Sequence, residues 1–180
     1  MALTALRRGH ALVRSRFVRR ALCPGSFDPV TYGHLDILRR AQKLFDRVII
    51  TIARNGAKNP LFTEEERYEL LRSATKNYRN VTVDVFDGLL VKYVVKKKAV
   101  AVVRGLRAMT DFEYELQMAL TNRKLDERVE TVFLMPNEKY TYLSSNFVRE
   151  IARLGGDVST FVPAVVLQAL RRKLEGESRR

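Results

Sequence analysis

Residues 24–34 read P-G-S-F-D-P-V-T-Y-G-H, between a short apolar strand pattern (21–23) and a helical pattern carrying Leu38, Ala41, Leu44 and Phe45 on one face. A strand, a Gly/Pro/Asp turn and a helix start form the geometry of a phosphate site. Backbone N–H groups at a helix N-terminus lack partners and carry partial positive charge. Gly25 and Gly33 permit close approach of a ligand, Ser26 and Thr31 offer hydroxyls, and His34 falls in the first helical turn. A second group of donors is Arg104-Gly105-Leu106-Arg107, directly after an apolar run. Two planar forks separated by a Gly turn suit phosphate oxygens. A third is Ser144-Ser145, just ahead of a helical pattern of Phe147, Ile151 and Leu154. These serines read either as an ordinary N-cap or as hydroxyl and backbone donors to a second phosphate. The chain shows no paired acid and base and no nucleophile with a neighbouring base. Gripping phosphates and stabilising their charge is chemistry that needs neither.

The elements that position these residues alternate. Apolar runs at 21–23, 47–53, 81–86, 99–103 and 129–135 read as strands, and helical patterns separate them. That order predicts an α/β fold with a doubly wound, five-stranded parallel sheet of the Rossmann-like kind. No G-x-G-x-x-G is present, so the dinucleotide-binding version is excluded. Thr63 with Glu66 forms a capping box that opens the helix running to about Lys76. Gly88 opens the next, with Leu89, Leu90, Tyr93 and Val94 apolar, and Lys96-Lys97-Lys98 closes it where cations suit the dipole. A helix over 110–124 carries Phe112, Leu116, Ala119 and Leu120 on its expected core face. Gly155-Gly156 stops the following helix, and Pro163 begins a last one with Val166, Leu170 and Leu174 apolar.

The chain of 180 residues reads as one nucleotide-handling domain over 19–174, a basic extension over 1–18 and a polar tail over 175–180. A formal charge of +13 invites a nucleic-acid reading. No zinc-finger spacing or aromatic-basic RNA signature accompanies it, and a cleft for two polyanions also needs positive potential. Residues 1–17 are Arg-rich and acid-free, with Leu3, Leu6, His10, Val13 and Phe17 at spacings of three and four. They resemble an organellar transit peptide. The competing and preferred reading is an upstream extension with the protein starting near Val18, since a valine codon can initiate. Intact mass separates the two, and a 20.7 kDa species would overturn the second reading. The lone Cys23 excludes an internal disulfide, suits a reducing cytoplasm and is expected to pack as a small apolar residue.

G-S-F-D-P followed by T-x-G-H resembles the signature of the nucleotidyltransferase superfamily, and its form is similar to the bacterial phosphopantetheine adenylyltransferases. R-G-L-R and D-F-E-Y-E-L-Q continue the resemblance, which covers about 19–174. It implies transfer of the adenylyl group of ATP to 4′-phosphopantetheine, giving dephospho-coenzyme A and pyrophosphate. It implies Mg²⁺, held mainly by phosphates and water, a homohexamer, and feedback by coenzyme A. His34 would stabilise the transition state. Ser26, Lys58, Leu90 and Arg104 would hold phosphopantetheine. ATP would meet Ser26, Phe27, His34, Gly105, Leu106, Arg107 and Glu115. It would also meet the run of Tyr140, Thr141, Tyr142, Leu143, Ser144, Ser145 and Asn146. Family members often carry a third serine where this chain has Asn146. Two alternatives stay open: a nicotinate-mononucleotide adenylyltransferase, which usually has a second His in place of Thr31, and a basic nucleic-acid-binding module.

Overall fold

The computed structural model describes residues 17–54, 60–107 and 109–178. Lys58 and residues 1–16 lie outside the described residues. Strand β1 (Arg20–Gly25) runs through the middle of a parallel sheet. Helix α1 (Tyr32–Leu44) leads to β2 (Arg47–Ala53), and α2 (Glu64–Thr75) to β3 (Val81–Phe86). Then come α3 (Leu90–Lys97), β4 (Ala101–Gly105), α4 (Met109–Leu125) and β5 (Thr131–Leu134). A single 3₁₀ turn (Glu138–Tyr140) precedes α5 (Ser145–Arg153) and α6 (Ala164–Ser178). Every strand pair is parallel, as the alternation of elements predicts, and the strands lie in the order β3-β2-β1-β4-β5.

Period-two alternation sends side chains to two cores. Ala21, Cys23, Val48, Ile50, Ile52 and Val103 face the larger one, beneath Leu38 of α1, Leu71 of α2, Val148 of α5 and Leu170 of α6. Leu22 and Val102 face a smaller one with Val91 and Val94 of α3. The chain reverses its winding direction between β1 and β4, and ligands of open parallel sheets bind at the carboxyl ends of such strands. β1 pairs with β2 from Arg20↔Arg47 to Gly25↔Ile52, but with β4 only at Ala21↔Ala101 and Leu22↔Val102. The ladder stops where the cleft begins.

Several elements differ from the sequence expectation. β1 continues through Pro24 and Gly25. Proline is rare in a central strand because it lacks an N–H. Here no rung to β4 exists at that position, and Pro24 O accepts from the Arg104 side chain instead. β4 starts and ends two residues later than expected, so Arg104 and Gly105 are strand residues and not part of the following turn. β5 is shorter, and Met135 stands exposed beyond it.

The expected core face of α4 is wrong: Phe112, Leu116 and Leu120 are exposed, whereas Glu115 and Asn122 are the buried positions. On α5, Phe147 and Leu154 are exposed and Val148 is buried. Leu44 on α1 and Leu89 before α3 are likewise exposed. α6 extends to Ser178, past the expected tail boundary at Leu174. The caps are as read. Thr63 and Glu66 bond reciprocally, at 3.2 and 2.8 Å. Gly155 N–H donates to Ala152 O and Gly156 N–H to Ile151 O, a Schellman stop with Gly155 at φ +80°.

Candidate active site

A cleft of about 450 Å³ opens over the carboxyl ends of β1 and β4. His34 sits on its wall, held by an N-terminal cap of unusual composition. Thr31 is the N-cap of α1, and its Oγ1 accepts from His34 N–H at 3.4 Å. In return, His34 Nδ1 accepts the Thr31 backbone N–H at 3.0 Å, the place a glutamate takes in an ordinary capping box. A backbone N–H can only donate, so Nδ1 carries no proton. The neutral ring therefore bears its hydrogen on Nε2. Burial, with the Arg107 and Arg104 charges adding to it, pulls the ring down to about 4 from 6.5. At neutral pH, His34 is an uncharged donor. The Phe27 ring meets it edge-on, centroids 5.0 Å apart. Phe27 itself takes φ +49° and packs where a Cβ on Gly25 would stand, 2.9 Å from its ring.

Two arginine forks line the opposite wall, each braced by a carboxylate of α4. Arg104 Nε and Nη2 donate to Glu115 at 2.7 and 2.5 Å. Arg107 Nε and Nη2 donate to Asp111 at 2.9 and 3.3 Å, and Nη1 donates to Leu143 O at 2.9 Å. Bracing both forks removes freedom that a ligand would otherwise have to freeze. Cys23 lies at the floor, its thiol pushed up to about 12 by burial against the opposing pull of Arg104. It packs and does not ionise.

The third side is the start of α5. Ser144 is its N-cap, accepting from Phe147 N–H at 3.0 Å, and Ser145 Oγ donates to Pro29 O at 2.8 Å. Asn146 stands next to them on the cleft wall.

Gly25, Thr31 and Gly33 line this cleft, and among the site residues that the resemblance implies the fold brings twelve to it. They are Ser26, Phe27, His34, Arg104, Gly105, Arg107, Glu115, Tyr140, Leu143, Ser144, Ser145 and Asn146. Leu106, Thr141, Tyr142 and Leu90 are not on its wall. Leu106 N–H donates to Leu134 O, Thr141 Oγ1 donates to Glu138 O, and Tyr142 is exposed against Phe161. Leu90 packs on the smaller core.

Sequence reasoning missed several cleft residues, among them Asp111 as a brace, Tyr114, Ile37 and Pro136. It also missed the acids that hold the walls. Asp28, 1% exposed, accepts N–H bonds from Leu61 and Phe62, each at 2.9 Å, and pairs with Arg149 at 2.8 Å. Asp36 accepts from Asn137 N–H and Arg40, each at 2.8 Å, fastening the segment after β5 to α1. The available signal was electrostatic: a carboxylate inside an anion-binding loop must be neutralised by something.

Among the described residues no group of three or more His, Cys, Asp or Glu could hold a metal ion. Both cleft carboxylates of α4 are engaged by arginines. The donor set therefore does not form a protein cage for Mg²⁺, which favours oxygen ligands and retains water.

A neutral donor, two guanidinium forks and a helix start facing one another can hold a phosphate chain while charge moves along it. Their position at the winding reversal of a parallel sheet makes this a site of the nucleotidyltransferase class. The cytidylyltransferase-like family matches residues 22–151. The phosphopantetheine adenylyltransferase of Caldanaerobacter subterraneus subsp. tengcongensis is 55% identical over 158 residues, 88% of this chain and 99% of that protein. The Alkaliphilus metalliredigens protein of the same name is 55% identical over 150 residues, 83% and 96% of the two chains. The chain belongs to the phosphopantetheine adenylyltransferase family of nucleotidyltransferases. A solved Vibrio parahaemolyticus structure, described as a nicotinate-nucleotide adenylyltransferase, shares the fold at 18% identity. Its TM-score is 0.62, with 86% of this chain and 99% of that one covered.

Proposed function

We propose that this chain transfers the adenylyl group of ATP to 4′-phosphopantetheine, releasing pyrophosphate and dephospho-coenzyme A. The observation that carries the reading is the His34 cap. It leaves an uncharged Nε2–H donor in a cleft that also holds two arginine forks. The 4′-phosphate is anionic at neutral pH, so it attacks the α-phosphorus in line without a strong base. The bond to the bridging oxygen breaks and pyrophosphate leaves. Catalysis is then positioning and charge stabilisation. His34 donates to the α-phosphate oxygens as their charge grows. A neutral donor strengthens with that charge and does not bind the ground-state triphosphate as a cation would.

Ser26, Lys58 and Arg104 place the nucleophile, with Leu90 toward the pantetheine arm. Phe27, Gly105, Arg107, Glu115, Tyr140 and the run from Leu143 to Asn146 hold ATP. ATP would bring Mg²⁺ bound to its phosphates and water, and the ion would supply charge neutralisation to the departing pyrophosphate. Coenzyme A carries both the pantetheine and adenylate portions of the product, so it competes for the same cleft as a feedback inhibitor.

The homohexamer is supported by α4, whose Phe112, Leu116 and Leu120, spaced four apart on one face, are exposed. An apolar helix face of this kind is covered by a second copy. A cytoplasmic location accompanies the reading; no described helix is long and apolar enough to cross a membrane.

The test is pyrophosphate release from Mg·ATP with 4′-phosphopantetheine and nicotinate mononucleotide offered separately. Turnover with the first alone is expected. Turnover with the second would overturn the acceptor and keep the His34 chemistry, and release with neither from folded protein would overturn both.

A further inference from the structure

The third residue at the α5 start is bound unlike its serine neighbours. Asn146 is exposed, lines the cleft, and its Oδ1 accepts from Arg149 Nη2 at 2.6 Å. Arg149 lies behind it on α5, with its side chain 15% exposed and off the cleft wall. The other fork nitrogen, Nη1, donates to Asp28 Oδ2 at 2.8 Å and to Asp28 O. Asp28 in turn accepts the N–H groups of Leu61 and Phe62. One guanidinium thus joins the loop after β1, the segment leading into α2, and the first turn of α5.

The consequence falls on Asn146. A side-chain amide has one acceptor oxygen and an NH₂ with two donors. Rotated one way it offers donors to an anion; rotated the other way it offers its oxygen and repels. A guanidinium donates and never accepts, so it can bind only the oxygen. With that oxygen turned toward Arg149, the NH₂ is the group left for the cleft.

We propose that Arg149 is a positioning residue for the transfer reaction: braced by Asp28, it orients Asn146 so that the amide donates to the triphosphate of ATP. The inference rests on the adenylyl-transfer reading above. It also explains how an asparagine serves where related chains often carry a serine, since the fixed amide supplies the donor a hydroxyl would.

The variants are Arg149→Lys, Asn146→Asp, Asn146→Ser and the Arg149→Lys/Asn146→Ser pair. Steady-state kinetics, calorimetric binding of inorganic pyrophosphate and thermal melts are measured for each. Lysine keeps a cation beside Asp28, but it lacks the planar fork whose separate Nη1 and Nη2 reach Asp28 and Asn146. For Arg149→Lys, KM for ATP and Kd for pyrophosphate should rise about tenfold, the worth of a charge-directed hydrogen bond, with kcat within about threefold. KM for 4′-phosphopantetheine should hold. Asn146→Asp keeps its bond to Arg149, so its melt should stay at or above wild type while pyrophosphate binding falls further. In the Asn146→Ser background, Arg149→Lys should change pyrophosphate affinity by less than about twofold, because the amide it orients is gone.

Additive effects in that cycle, or wild-type pyrophosphate affinity in Asn146→Asp, would overturn the proposal. So would an Arg149→Lys protein whose melt and kcat fall together at constant KM, since that marks a brace with no role in orientation. If wild type shows no transfer to 4′-phosphopantetheine, the reaction reading fails, while the pyrophosphate calorimetry still decides the role of Arg149.

Discussion

Replacing His34 by alanine removes two functions of one ring that the structure separates. Nε2–H is the donor left for a ligand, and Nδ1 caps the Thr31 N–H. Loss of one donor to developing charge in a water-poor site costs about 10²–10³ in kcat. On the proposed reading Arg107 and the α5 start carry ATP ground-state binding, so KM for ATP should change by no more than about threefold, as differential transition-state binding requires. Loss of the cap should cost about 1 kcal/mol of stability, a fall in Tm of about 2–4 °C for a chain of this size. Pyrophosphate release at saturating 4′-phosphopantetheine gives kcat and KM, and a thermal melt reads the cap. The pH dependence supplies an independent check. Because the folded ring sits at about 4 and an unfolded one at 6.5, the fold favours the neutral form. Its contribution, up to about 3 kcal/mol, is whole above the unfolded value and is lost as pH falls from 6.5 toward 4. In wild type, kcat should therefore show no inflection from His34 near 6.5, and histidine NMR should place its titration near 4. A His34→Ala protein with intact kcat and a raised KM would refute the reasoning, as would a ring titrating at 6.5.

Three further outcomes follow from the packing. Asp28→Ala strands Arg149 and the Leu61 and Phe62 amides, so urea unfolding should show a loss of about 3–5 kcal/mol; a loss below 1 would mean water replaces the carboxylate. Gly25→Ala puts a Cβ 2.9 Å from the Phe27 ring, and overpacking of this kind costs about 1–3 kcal/mol. Since Phe27 abuts His34, kcat should fall with stability, and unchanged activity would separate the two rings. Leu120→Glu places a charge on the exposed face of α4; light scattering should report smaller assemblies, and an unchanged mass would remove α4 from the subunit contact.

How far the sequence was legible depended on the range of the forces involved. The alternation of strands and helices, the capping box at Thr63 and the stop at Gly155-Gly156 are local or periodic, and local pattern showed them. The Ser144 cap was visible for the same reason, because an N-cap is read within one turn, whereas the Thr31–His34 cap of α1 went unread because a histidine stands where a capping box has Glu or Gln. The faces of α4 and α5 were misread because periodicity reports an apolar stripe and not what covers it. On α4 the stripe of Phe112, Leu116 and Leu120 faces outward, and the buried side carries Glu115, bonded to Arg104. Asp28 escaped notice because its partners, Leu61, Phe62 and Arg149, are distant in sequence. Arg104 was recognised as a phosphate fork but set beyond its strand, because an arginine rarely continues a buried one. Here the break in the ladder gives it room.

That break divides the sheet mechanically. β3, β2 and β1 form one slab and β4 with β5 another, stitched by two residue pairs at the end remote from the cleft. The arrangement is a pair of tongs: a pivot at Ala21 and Leu22, with Ser26 at one tip and Arg107 past the other. Across the gap, the Arg104 bond to Pro24 O is a side chain standing in for a rung of backbone. Any flexing about that pivot works against both cores, since Val103 packs with Cys23 and Val102 with Leu22 across the gap. A substrate held from both tips would draw them together, so slower amide exchange along Val103 and Gly105, on the β4 side of the gap, would register its arrival.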